Sequence, residues 1–197
     1  MSFVVKDHYF NEAKKHNFVA RSVFKLEEID KKFSLLHPKM KVLDLGYFPG
    51  SWVQYLSKKV GAHGKVVGMD LQEERPIPDL GRNTTLLQGD IFEMEKLEDF
   101  AATELFDVIC SDMAPKTTGI KMVDQAQSLN LVEKIFHLLP LVLREDGHLV
   151  MKCFESNDVR NFLNSNKKRF KSISYFRPKS TRSCSFEFFV IAKGFVA

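Results

Sequence analysis

The stretch that decides the fold is Val42-Leu43-Asp44-Leu45-Gly46-Tyr47-Phe48-Pro49-Gly50-Ser51-Trp52. A short apolar run, Val42, Leu43 and Leu45, closes around Asp44 and Gly46. A loop holding Pro49 and Gly50 follows, and helical periodicity begins behind it. Strand, glycine loop and helix, in that order, build a nucleotide pocket in an α/β protein. Loop glycines let the backbone approach a ligand closely, and the start of the next helix offers free N–H groups. The loop reads G-x-x-P-G-x-W and lacks the G-x-G-x-x-G pyrophosphate fingerprint, which weighs against a nicotinamide or flavin ligand.

Outward from this stretch, the pattern predicts strands at 41–46, 64–70, 84–88, 106–112 and 147–153. Helices are predicted from about Gly50, over about 124–143 with Pro140 near its end, and from an N-cap at Ser156 to about Lys167. Upstream, residues 7–18 read as a short basic helix or arm, and Ala20–Phe33 carries near-helical apolar spacing. Strands alternating with helices predict a parallel, doubly wound sheet. Two final strands, 170–176 and 186–192, are separated by residues 177–185, too few for a parallel crossover of roughly a dozen residues. One of the two must therefore run antiparallel. A mostly parallel seven-stranded α/β sheet with one antiparallel strand near its C-terminal edge resembles the Rossmann-like methyltransferase fold.

In such sheets the ligand sits beyond the carboxyl ends of the strands. Asp44, Asp70, Asp90 and Asp112 fall at or near those ends. Asp70 follows Gly50 by twenty residues, the distance of an acid that binds a ribose diol. Asp90 lies where it could meet an adenine amino group. One strand-end acid is commonplace as a cap, but three in register favour a nucleoside ligand. A nucleoside without a pyrophosphate, such as S-adenosylmethionine, suits this loop best.

Three charges stand in apolar company: Asp112 closing D-V-I-C-S-D, Lys152 within L-V-M-K-C-F, and Glu187 within S-F-E-F-F-V-I. A buried unpaired ion costs several kcal/mol, so each needs a partner. The expected strand order makes the three neighbours, and Lys25 could close the group from the preceding helix. A purely structural salt bridge is the bland reading. The chemical reading is methyl transfer to a hydroxyl, which needs an in-line approach and removal of a proton. A free lysine, pKa about 10.4, is no base, whereas burial beside a second cation favours the neutral amine. Lys152 is thus either base or positioning group, and proximity alone can supply much of the rate.

Composition agrees with a globular domain. The chain has 197 residues, 44% hydrophobic and 27% charged, enough for a sizeable core. We expect one methyltransferase domain over 1–197, with 1–39 a basic helical extension and 40–197 the cofactor-binding and catalytic core. No membrane-length apolar run and no signal peptide are visible, and three unpaired cysteines suggest reduced, buried residues in a cytoplasmic monomer. The histidines show no ligand spacing, so no metal site is expected. The net charge of +4 is segregated: residues 1–39 carry +3, 40–159 carry −7, and 160–197 carry +8. Basic ends flanking an acidic middle point to a polyanion, nucleic acid first. Lys14, Lys15 and Arg21 at the front and Arg177, Lys179 and Arg182 near the end are the candidate RNA contacts, expected to converge beside Lys152.

Taken together, A-R-S-V-F-K-L-E-E-I, D-L-G-x-x-P-G-x-W, L-Q-G-D, S-D-M-A-P and S-T-R-S-C-S-F-E resemble the FtsJ/RrmJ-type ribosomal RNA ribose 2′-O-methyltransferase family over nearly the whole chain. The resemblance implies a K-D-K-E tetrad of Lys25, Asp112, Lys152 and Glu187, with Lys152 central. It implies an S-adenosylmethionine site lined by Gly50, Trp52, Asp70, Asp90 and Asp112, and we add Asp44, Gly46, Ser51, Leu71 and Ile91 as neighbouring candidates. The implied substrate is large-subunit ribosomal RNA or the subunit itself, with transfer RNA as the alternative. Two departures stand out. Tyr47 and Phe48 replace small residues, and Ser51 a common glycine, so the loop could crowd the methionine end of the cofactor. Lys116 replaces the usual Asn after S-D-M-A-P, adding a cation near the RNA entrance. The crowded loop also leaves open a non-catalytic RNA-binding protein on the same fold.

Overall fold

The computed structural model describes residues 8–73 and 75–197. Seven strands form one sheet: β1 (Lys41–Leu45), β2 (Lys65–Asp70), β3 (Thr84–Gln88), β4 (Phe106–Ser111), β5 (Leu143–Phe154), β6 (Phe170–Phe176) and β7 (Glu187–Phe195). Their order is β3-β2-β1-β4-β5-β7-β6. The first five are parallel, and β7 runs antiparallel to both β5 and β6. The short 177–185 link had required one reversal, and β7 supplies it by inserting between β5 and β6.

Five α-helices lie among the described residues: α1 (His8–Lys15), α2 (Val23–Phe33), α3 (Ser51–Val60), α4 (Lys121–Val142) and α5 (Asn157–Ser165). The alternation of strands and helices is less regular than the sequence suggests. Among the described residues, no helix joins β2 to β3, and two 3₁₀ turns, Ile91–Glu93 and Leu97–Phe100, lie between β3 and β4. Pro76, Pro78 and Gly81 suit this extended crossover, and its Ile77 and Leu80 pack on the α3 side of the sheet.

Each strand sends alternate residues to opposite faces. Leu43, Leu45, Ile109, Leu149 and Met151 meet α4 and α5 in one core, while Val42, Val108, Val150, Phe189 and Ile191 meet α2 and α3 in the other. Helix α3 is sandwiched between the sheet and α2 with the segment before it, so even its polar residues are buried. They are satisfied individually. Gln54 accepts from Val19 N at 3.0 Å and donates to Asn17 O and Pro78 O, and Tyr55 donates to Asp30 at 2.9 Å. Cys110 and Cys153 are buried in β4 and β5, but Cys184 is exposed in the loop before β7, contrary to the expectation that all three serve as packing.

Candidate active site

Two loops at the carboxyl ends of β1 and β4 meet face to face. Gly46 has φ of +79°, and a Cβ there would lie 2.5 Å from Met113 Cγ and 3.0 Å from Met113 Cα. Only glycine allows the S-D-M-A-P loop to come that close. Beside this contact opens a cleft of about 340 Å³, a size suited to a small ligand. Gly46, Asp70, Leu71, Asp90, Ile91 and Asp112 line it. Asp70 accepts from Phe48 N at 3.0 Å through one oxygen and from Gln72 N at 2.8 Å through the other. A carboxylate has about four acceptor positions, so Asp70 keeps capacity for a diol. Asp90 accepts from Phe92 N at 2.9 Å.

Asp44, Gly50, Ser51 and Trp52 do not line this cleft. Asp44 shares a face with Val42 and is fully buried beneath α3, and burial, then the charges of Asp112 and Asp70, push its carboxyl well above the ordinary range. Gly50, with φ of +118°, makes room for Ile77 of the β2–β3 crossover. Ser51 pairs with Ser22 at 2.9 Å. Trp52 donates to Ser22 O at 2.9 Å and lies 5.9 Å from the Phe189 ring. These residues hold the start of α2 against α3 and so fix where Lys25 emerges. Tyr47 turns inward and is buried beside Gly68, whereas Phe48 stands on the rim with Arg75 5.5 Å over its ring. The aromatic loop therefore leaves the cleft open. Met113 and Phe92 also line the cleft and were not singled out in the sequence, because each reads there as an ordinary apolar residue.

The tetrad assembles on the α2/α3 face. Lys152 pairs with Phe189 across the β5–β7 ladder and Phe154 with Glu187, so Lys152 and Glu187 are diagonal neighbours on one face. Lys152 Nζ lies 2.9 Å from Asp112 Oδ1 and donates to the Asp112 carbonyl. Lys25 Nζ bonds Glu187 Oε1, lies 3.9 Å from Asp112 Oδ1, and sits 5.8 Å above the Phe189 ring. Burial would raise the Glu187 carboxyl, but the hydrogen bond and charge of Lys25, with Lys152 adding, hold it below its ordinary value. Glu187 is thus an anion at neutral pH. Asp112 lines the cleft, and Lys152 and Glu187 line a second pocket of about 230 Å³. Ala114 lines both.

The two basic ends of the chain do meet. Arg21 donates to Ser180 O at 2.9 Å, and Glu28 of α2 accepts from Lys179 N at 2.7 Å and Ser180 N at 2.9 Å. Lys179 and Arg182 are exposed on this loop. Arg177 is committed differently, donating to Arg182 O at 3.1 Å and Ser185 O at 2.8 Å, which folds the loop around its guanidinium. Lys14 and Lys15 are exposed on α1, engaged with the Phe10 ring and with Glu12. Lys116 is exposed on the loop after β4.

This sheet order, with β7 reversed beside β5 and a ligand cleft at the ends of β1, β2 and β4, defines a Rossmann-like methyltransferase. The chain matches the FtsJ-like methyltransferase family over residues 18–195 and belongs to that family. It is 45% identical over 195 residues to the "Ribosomal RNA large subunit methyltransferase E" of Bdellovibrio bacteriovorus, covering 97% of each chain. It is 44% identical over 192 residues to the protein of that name from Oleidesulfovibrio alaskensis, covering 96% of this chain and 92% of the relative. A solved putative ribosomal RNA methyltransferase from Plasmodium falciparum superposes with a TM-score of 0.77 at 26% identity, covering 91% of this chain and all of the other. Among the described residues, no group of acids, histidines and cysteines could hold a metal ion, and no helix is long and apolar enough to cross a membrane.

Proposed function

We propose that this protein is a single-domain methyltransferase that uses S-adenosylmethionine to methylate a ribose 2′-hydroxyl of large-subunit ribosomal RNA. The observation that carries the reading is the Lys25–Asp112–Lys152–Glu187 tetrad between a nucleoside-sized cleft and a second pocket. The names of the bacterial relatives favour ribosomal over transfer RNA.

The cleft residues suit this donor. Asp70 and Asp90 offer acceptors for a ribose diol and an exocyclic amine. The donor supplies an electrophilic methyl on a positively charged sulfur. The protein's task is to bring one hydroxyl into line with it and manage that hydroxyl's proton. Lys152 Nζ is the group to meet the hydroxyl. Asp112 orients it from one side, and Glu187 neutralises Lys25, so the two amines are kept close without a net excess of buried positive charge. Such placement contributes mainly through proximity and proton transfer.

Lys152→Ala is expected to lower methyl transfer at least about 100-fold, the usual scale for losing a proton-transfer group. Binding of S-adenosylmethionine by calorimetry should persist. Mass spectrometry of ribosomal RNA from a gene deletion should show one 2′-O-methyl missing, restored by the wild type and not by the variant. Normal turnover by Lys152→Ala would overturn the mechanism.

A further inference from the structure

Phe186 stands at a junction that the tetrad does not explain. It directly precedes Glu187, yet its side chain is 62% exposed. Its backbone is fixed, because Phe186 O accepts from Glu155 N at 3.0 Å. On one side of the ring lies the pocket containing Lys152 and Glu187. On the other lies an adjoining groove lined by Arg160, Tyr175 and Arg177. Lys121, Glu155, Ser185, Phe186 and Glu187 line both.

The groove combines aromatic faces with cations. Lys121 Nζ lies 6.0 Å from the Phe186 ring centre. Arg160 stacks over Tyr175 at 4.7 Å and Phe188 at 4.8 Å, and is held there by both oxygens of Glu155 at 2.8 Å. Tyr175 is itself 42% exposed. Both acids shared by the two pockets are already paired, Glu155 with Arg160 and Glu187 with Lys25, so Lys121 and Arg177 set the sign of the groove. Exposed rings interleaved with lysine and arginine suit bases and phosphates of a single strand, because every base has a face that stacks and every linkage carries a charge.

We propose that Phe186 is a stacking shelf for the nucleotide next to the methylated one, with Lys121 meeting the intervening phosphate. The proposal rests on the reading of the Lys152 pocket as the acceptor site. The substrate strand then passes over Phe186, which separates the target nucleotide from its neighbour and keeps the target's ribose turned toward Lys152. An unpaired strand suits the shelf, since a base inside a duplex already has both faces stacked on its neighbours.

The test uses the full-length protein and single-stranded hexanucleotides of RNA, one carrying 2-aminopurine as a stacking reporter. Phe186→Ala is expected to weaken hexanucleotide binding about 10-fold, within the range for loss of one base–aromatic stack. It should also abolish the quenching of 2-aminopurine that the wild type gives. Phe186→Trp should restore both. Lys121→Gln should reduce the salt dependence of binding by roughly 0.7 in the logarithmic slope, one phosphate's share for a single strand. Thermal melts of each variant check that the fold is kept. Unchanged affinity and quenching in a folded Phe186→Ala would overturn the shelf, while normal methylation by Lys152→Ala would instead overturn the acceptor-site reading.

Discussion

Asp44 is the residue whose chemistry is most at odds with its surroundings. It is completely buried, and neither carboxyl oxygen has a hydrogen-bond partner among the described residues. Burial first, then the charges of Asp112 and Asp70, raise its folded pKa well above the ordinary value. Below about pH 4 the acid is protonated in both folded and unfolded chains and contributes no pH dependence. Above that, the unfolded chain ionises while the folded one does not, so stability falls as pH rises toward the folded pKa. The slope from one such group is at most about 1.4 kcal/mol per pH unit. Asp44→Asn keeps the shape and removes the titration. In urea melts the variant should match the wild type near pH 4 and become progressively more stable relative to it from pH 4 to 6. Parallel profiles for the two proteins would show that Asp44 finds a partner in solution. In the sequence Asp44 stands with Asp70 among the strand-end acids assigned to the cleft. The distinction is that Asp44 lies inside β1 and faces α3, whereas Asp70 ends β2 at the mouth of the cleft.

At the scale of elements, α4 shows how a local defect is repaired from a distance. Pro140 lies inside the helix and has no N–H to donate to the carbonyl of Phe136 four residues earlier. The helix continues to Val142 because Arg169 donates to Phe136 O at 2.9 Å. The same guanidinium lies 5.8 Å from the Phe136 ring and 5.5 Å from Phe195. Arg169→Met should cost about 1–3 kcal/mol in chemical denaturation, the penalty of an unsatisfied buried carbonyl. In a Pro140→Ala background the helix supplies its own N–H, so the same substitution should cost less. Additive costs in this double-mutant cycle would refute the repair. The sequence flagged Pro140 as a kink or a stop. It could not show a compensating donor that comes from residue 169, just before β6.

Across the whole molecule, the separated basic ends are joined through α2. Glu28 holds the amides of Lys179 and Ser180, and Glu187 holds Lys25 of the same helix. Glu28→Ala should therefore release the 177–185 loop without unfolding the sheet. Hydrogen exchange should show the Lys179 and Ser180 amides losing protection while those of β5 and β7 keep theirs, with RNA binding weakened in parallel. Unchanged exchange at those two amides would refute the clamp. Arg177 is a poor choice for testing RNA contact by charge reversal, because its loss would unfold the loop that displays Lys179 and Arg182.

Lys25 joins the tetrad through the family resemblance, whereas the sequence by itself determined the strand-forming segments, the reversal near the C-terminus and the three charges set in apolar runs, Asp112, Lys152 and Glu187. Each of these is written in local signals: apolar periodicity, loop length, or a charge in an apolar run that must find a partner. It also assigned Trp52, Ser51, Gly50 and Asp44 to the cleft. Only the tertiary structure showed that Ser51 and Trp52 brace α2, that Gly50 admits Ile77, and that Asp44 lies beneath α3. The direction in which a loop residue faces depends on what packs against it, and its packing partners here, Ser22, Ile77 and Phe189, lie far from it in sequence. The same holds for Phe186, which reads as the first residue of a strand and stands in the fold as an exposed ring beside the tetrad.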